Sequence, residues 1–226
     1  MAHTHDIYLE IGKKKVIAVA RDWPGWARGG RDEESALQAL VDYAPRYARV
    51  MEKTGLGFQA PASAADLRVV ERIEGNGTTD YGVPGHPLPG DARPVEPGEL
   101  KHLKEALQAC WQAFDKAVRA AEGKELRKGP RGGGRELEKI VEHVTGSAEG
   151  YLSATGGSLK NKDAPPEQAA DELREAVLAT VDASVRGEIA EKGPRGGTRW
   201  PARYFIRRLA WHILDHVWEI EDRVEA

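Results

Sequence analysis

Three histidines carry the chemistry most open to this chain. His212 and His216 are four residues apart, the spacing that places two imidazoles one turn apart on the same face of a helix. His143 lies in a separate helical pattern. Two imidazoles from one helix and a third from a facing helix make a three-nitrogen ligand set for one divalent ion, with a fourth position left for water or substrate. A His-x-x-x-His pair taken alone is equally explained by two hydrogen-bonded polar groups at the edge of a bundle. The third histidine, on a matching face of another helix, favours the ion.

The matching face follows from helix geometry. With about 100° between residues, the last helix carries a core stripe of Ile206, Ala210, Ile213, Val217, Ile220 and Val224. His212 and His216 fall about 80 to 120° to one side of it. In the helix bearing His143 the stripe is Leu137, Val141, Val144, Ala148 and Tyr151, and His143 stands about 120° from its centre in the same rotational sense. Faces offset in the same sense meet only when the two helices run antiparallel. Residues placed beside such an ion, behind a ligand or along a pocket, are Asp215 and Glu219 on the last helix and Ser147 and Tyr151 beyond His143. The bland alternative makes the two carboxylates a solvated face and Tyr151 a core residue. No catalytic side chain is singled out.

The elements that must position these residues divide the chain. Residues 7–9 and 16–19 read as two strands of a hairpin around Gly12 and Lys13 to Lys15, and the run Asp22-Trp23-Pro24-Gly25-Trp26 breaks the pattern. Asp32 is the expected N-cap of a helix carrying Leu37, Leu40 and Val41, which Pro45 would kink or restart. A third strand is expected over 67–73. Residues 83–98 hold five prolines, through which neither helix nor central strand runs. Beyond them come four long helical patterns at 99–121, 135–153, 166–186 and 200–225, enough for a four-helix bundle. The expected class is therefore α+β. A sheet-plus-helix domain over 1–82 and a linker over 83–98 precede a bundle over 99–226.

The phrase Lys-Gly-Pro-Arg-Gly-Gly occurs at 128–133 and again at 192–197, each time before a histidine-bearing helix. Helix termination by glycine and proline explains it. An anion site built jointly from Arg131 and Arg195 does not survive the antiparallel arrangement, which puts the two loops at opposite ends.

Composition excludes several classes of function. The 33 basic and 36 acidic side chains leave a formal charge of -3, which gives no basis for phosphate-backbone binding, so no nucleic-acid partner is expected. No apolar run is long enough to span a membrane. The start carries no export signal, and a single cysteine rules out an internal disulfide framework, so a cytoplasmic location is expected. Cys110, beside Trp111 and Phe114, reads as a small buried hydrophobe. His3 and His5 sit near an expected frayed end, and His86 and His102 have no partner visible in the sequence.

The run Arg207-Arg208-Leu209-Ala210-Trp211-His212-Ile213-Leu214-Asp215-His216-Val217-Trp218-Glu219, together with Glu142-His143-Val144-Thr145-Gly146, resembles the DinB-like superfamily over about residues 97–226. The resemblance implies a four-helix bundle in up-down-down-up order, with a metal ion held by one histidine of the second helix and two of the fourth. It also implies chemistry like that of metal-dependent thiol transferases: an ion activates a thiol or a water for attack on a small electrophilic substrate, with a low-molecular-weight thiol as cosubstrate. Zinc suits three histidines, and nickel and iron do too. That topology requires the connection over 155–165 to cross the bundle, which an extended chain can do. The first 75 residues resemble a HicB-type antitoxin domain, on Asp22-Trp23-Pro24-Gly25-Trp26 and the helix with Glu33-Glu34-Ser35-Ala36-Leu37. This implies a recognition or dimerisation module, compatible with a homodimer. The alternative to an enzyme is a non-catalytic, metal-stabilised binding protein that recruits its partner through that module.

Overall fold

A computed structural model describes residues 4–128, 134–159 and 166–225. It is an α+β protein, a four-stranded sheet followed by helices. It forms two compact units, Met1–His86 with Gly98–Trp111, and Pro87–Pro97 with Gln112–Ala226. The division thus runs through the first long helix as well as through the proline-rich segment.

In the first unit, β1 (His5–Ile11) and β2 (Val16–Ala20) form the expected antiparallel hairpin. It is closed by a bond from the Gly12 amide to the Lys15 carbonyl. A strand absent from the sequence reading follows: β3 (Ala27–Gly30) pairs antiparallel with β2. Its sequence, Ala-Arg-Gly-Gly, has no apolar alternation, so the pairing surface of Val16 to Val19 decides its conformation. The helix α1 (Glu33–Met51) opens where expected, with Asp32 and Ser35 capping each other reciprocally. It does not break at Pro45. That residue lies on the exposed face, where the Val41 carbonyl it leaves unbonded can be solvated. After α1, β4 (Leu67–Glu74) joins parallel to β1, which gives the order β3-β2-β1-β4.

The core of this unit is aromatic. The Trp26 indole is fully buried and donates to the Leu40 carbonyl at 2.9 Å, and the Tyr47 hydroxyl donates to the Pro24 carbonyl at 2.9 Å. His5 is not frayed. It is buried in β1 against Trp26 and Phe58, with Nε2 2.8 Å from the Gln59 carbonyl. His102 likewise has a partner, the Asp22 carbonyl at 2.8 Å, and packs edge-on to Trp23. Glu10 is buried and anchors the chain after the short helix α2 (Gly77–Asp80), accepting bonds from the Thr79 hydroxyl and the Gly85 and His86 amides. Burial raises its carboxyl pKa, and these bonds oppose the rise.

The long helices are α3 (Pro97–Ala121), α4 (Leu137–Thr155), α5 (Pro166–Val185) and α6 (Ala202–Arg223). Contacts fix their directions. His143 meets His216 while Tyr151 meets Trp200, so α4 and α6 are antiparallel, as the angular argument requires. Gly157, just past α4, lies against Thr180 near the end of α5, so those two run parallel. Asp91, just before α3, bonds Arg207 near the start of α6, and Leu126 after α3 bridges Val224 after α6. The order is up-down-down-up. Arg174 of α5 forks onto Asp115 of α3 at 3.0 and 2.5 Å.

Both α4 and α5 end in the same device. Gly156 and Gly187 take left-handed backbone (φ +99° and +73°), and the next amide reaches back to the Leu152 or Ala183 carbonyl, a Schellman ending that needs glycine. The 192–197 phrase therefore does not terminate α5, which has already stopped. It makes its own turn, with a Gly193-to-Gly197 backbone bond and a bridge between Lys192 and Thr198. Of the first copy, residues 129–133, including Arg131, lie outside the described residues, as do His3 and residues 160–165 of the connection expected to cross the bundle.

The proline-rich 83–98 is built into the structure on both sides. Residues Pro89–Ala92 form a 3-10 turn that aims Asp91 at α6. There the Arg207 guanidinium forks onto the Asp91 carboxylate at 2.9 and 2.5 Å, with both side chains buried. Arg203, one turn earlier, donates to the Asp91, Arg93 and Pro94 carbonyls.

Candidate metal centre

The α6 helix is buried on nearly every side from Ala202 to Ile220. This corrects the picture of histidines flanking a narrow stripe. His212 and His216 are each only 6 % exposed. The α4 stripe also differs from expectation: Ile140, Val144, Ala148, Leu152 and Thr155 are buried, while Leu137, Val141 and Tyr151 are only partly so. His143 precedes Val144 and remains partly exposed.

The three histidines come together. One ligand atom from each lies within 4.8 Å of the others, and together they could hold a metal ion. The ring centroids are 4.7 to 5.0 Å apart. Nε2 of His212 is 3.1 Å from Nε2 of His143. Nδ1 of His216 is 2.7 Å from Glu219 Oε2, which leaves its Nε2 for an ion. Glu219 is itself held by Arg223, whose Nη1 donates to Oε1 at 2.6 Å. This is the carboxylate-behind-histidine arrangement that fixes tautomer and ring orientation in metal sites.

The electrostatics favour neutral ligands. Burial, aided by the charges of His216, Arg208, His143 and Arg135, pushes the pKa of His212 down to about 2. Burial, then Arg135 and His216, lower that of His143. The His216 hydrogen bond holds Glu219 below the usual carboxylate range, with Arg223 acting in the same direction. Nε2 of His212 faces Nε2 of His143, two ring nitrogens that need either a proton on one of them or an ion between them.

Of the flanking residues, Glu219 touches His216, and the Tyr151 ring makes a T-shaped contact with His212, centroids 5.8 Å apart. Ser147 is partly buried one turn past His143, and Asp215 is partly buried between the two α6 histidines. Sequence reasoning assigned no role to Arg208 or Arg223. Their signal was present, since Arg208 lies four residues before His212 and Arg223 four after Glu219. Cys110 is fully buried, and burial drives its thiol pKa well up, the setting of a structural thiol rather than of a nucleophile.

No family model, no curated protein and no solved structure matches this chain. Among the described residues no helix is long and apolar enough to cross a membrane.

Proposed function

We propose that His143, His212 and His216 bind one divalent ion, zinc foremost, with nickel or iron as alternatives, and that the protein uses it to transfer a thiol or water to a small electrophilic substrate. Convergence of three imidazoles from two antiparallel helices, two of them with lowered pKa, carries this reading. A bound ion with neutral ligands lowers the pKa of a thiol or water at its open position and makes a nucleophile near neutral pH. The protein's own part is orientation. Glu219, braced by Arg223, presents His216, and burial keeps His212 neutral. The up-down-down-up helix order supports the DinB-like reading. The β3-β2-β1-β4 sheet crossed by α1 supports the HicB-type reading of the first unit as a recognition or dimerisation module.

Elemental analysis tests the first step. Protein reconstituted at neutral pH should carry about one ion per chain, and the His212→Ala and His216→Ala variants should carry none. Wild-type protein that stays metal-free after reconstitution refutes the reading.

A further inference from the structure

Beside the histidine cluster stands a cation that the proposed chemistry has not used. Arg208 lies one turn before His212 on the same face of α6, and its guanidinium is held between two rings, 4.9 Å from the Tyr151 centroid and 4.8 Å from that of Trp211. Nη1 is buried and has no hydrogen-bond partner. Among the described residues no carboxylate or carbonyl accepts from Arg208, although the protein supplies carboxylates to Arg207, Arg174 and Arg223. Its side chain is only partly buried, and Nε and Nη2 are not among the buried unpartnered atoms. The Tyr151 hydroxyl also lacks a hydrogen-bond partner among the described residues and is not one of the buried unsatisfied groups. Tyr151 joins the two features, with Arg208 over its ring and His212 in a T-shaped contact beside it.

Leaving the Arg208 Nη1 buried without an acceptor is costly, because charged groups near a protein interior are normally paired. Cation–π contact fixes its position and offsets part of that cost, but it neutralises no charge. We propose that Arg208 and Tyr151 form the anion-recognition subsite of the metal centre and that the group they receive is the carboxylate of a small substrate or thiol cosubstrate. The outward edge of a guanidinium offers two parallel N–H donors to a planar carboxylate. A lone guanidinium balances one negative charge, which favours a carboxylate over a phosphate monoester. The Tyr151 hydroxyl supplies a third donor. This inference rests on the proposed metal chemistry for its role but not for its test.

The test is calorimetric titration of the full chain, both chelated and zinc-loaded, with 3-mercaptopropionate, its neutral amide and inorganic phosphate. The acid should bind at least about tenfold more tightly than the amide in both forms, the effect of one or two charge-assisted hydrogen bonds. Arg208→Gln should erase that preference while zinc content and melting temperature stay near wild type. Arg208→Lys, which keeps the charge but loses the fork, should retain part of it. Equal affinity for acid and amide, or a preference that persists in Arg208→Gln and Tyr151→Phe together, overturns the subsite. Phosphate binding more tightly than the acid through Arg208 overturns the carboxylate assignment. A chain that takes up no zinc sinks the metal reading alone, since the chelated titration still decides on Arg208.

Discussion

Glu219 stands 2.7 Å from Nδ1 of His216 and is gripped from its other oxygen by Arg223, so two charged residues within two turns of α6 set the direction of one imidazole. Replacing Glu219 with Gln keeps the shape but loses the charge. Outer partners of this kind are worth about 10- to 100-fold in metal affinity. Competition with a chromophoric chelator should show a loss of that order with an unchanged melting curve in the metal-free state. Unaltered affinity would mean that the carboxylate does not support the ligand.

Site and scaffold separate on one helix. His216→Ala should remove the ion. Ile213→Ala, at a position 1 % exposed, should cost about 2 to 5 kcal/mol of stability and leave metal stoichiometry near one. Asp215→Ala should retain the ion. Metal content and thermal melting of the three variants check both assignments, and full occupancy in His216→Ala would end the triad.

Acid should destabilise the protein. His143 and His212 are both lowered in the folded state, His212 to about 2, chiefly by burial. The unfolded chain takes up these protons near pH 6.5. Below that value the unfolded state binds more protons, so stability falls as pH falls through the window down to the lowered folded values, and it is fully restored above about 6.5. Ion release runs in the same direction, since only neutral imidazole ligates. Melting of the chelated protein at about pH 5 and about pH 7.5 measures the first effect, and His212→Gln should shrink the difference. Identical melting at both would contradict it.

The Asp91–Arg207 pair is the buried ion pair that ties the proline-rich segment to α6. Asp91→Ala should cost about 3 to 5 kcal/mol by leaving Arg207 buried and uncompensated. A fragment beginning at residue 97 lacks Asp91 and the carbonyls that Arg203 uses. It should melt below a fragment beginning at residue 87. Equal melting of the two would show that the clamp contributes little.

Cys110 should resist alkylation in the native protein and react fully once unfolded, because burial holds its thiol protonated. Rapid labelling of native protein by iodoacetamide, followed by mass spectrometry, would show that this part of α3 opens readily.

The sequence by itself determined the periodic features. The four long helices, the hairpin, the Asp32 cap and the shared sense of the two histidine faces follow from spacing, because helix and strand periods are local properties of the backbone. From them came the antiparallel pairing of α4 with α6 and the convergence of His143 with His212 and His216. What only the tertiary structure decided depends on partners distant in the chain. β3 exists because β2 offers it a ladder, not because Ala-Arg-Gly-Gly favours a strand. The burial of α6 on nearly all sides could not be read from one stripe, since its Arg203 and Arg207 look like surface residues until Asp91 and the carbonyls of 91–94 satisfy them 109 to 116 positions away. Arg208, next to Arg207 and identical in type, lies against the Tyr151 and Trp211 rings and has no such partner among the described residues. Which of two adjacent arginines meets Asp91 and which lies against Tyr151 and Trp211 is set by the 100° between them on the helix and by what the fold brings to each side.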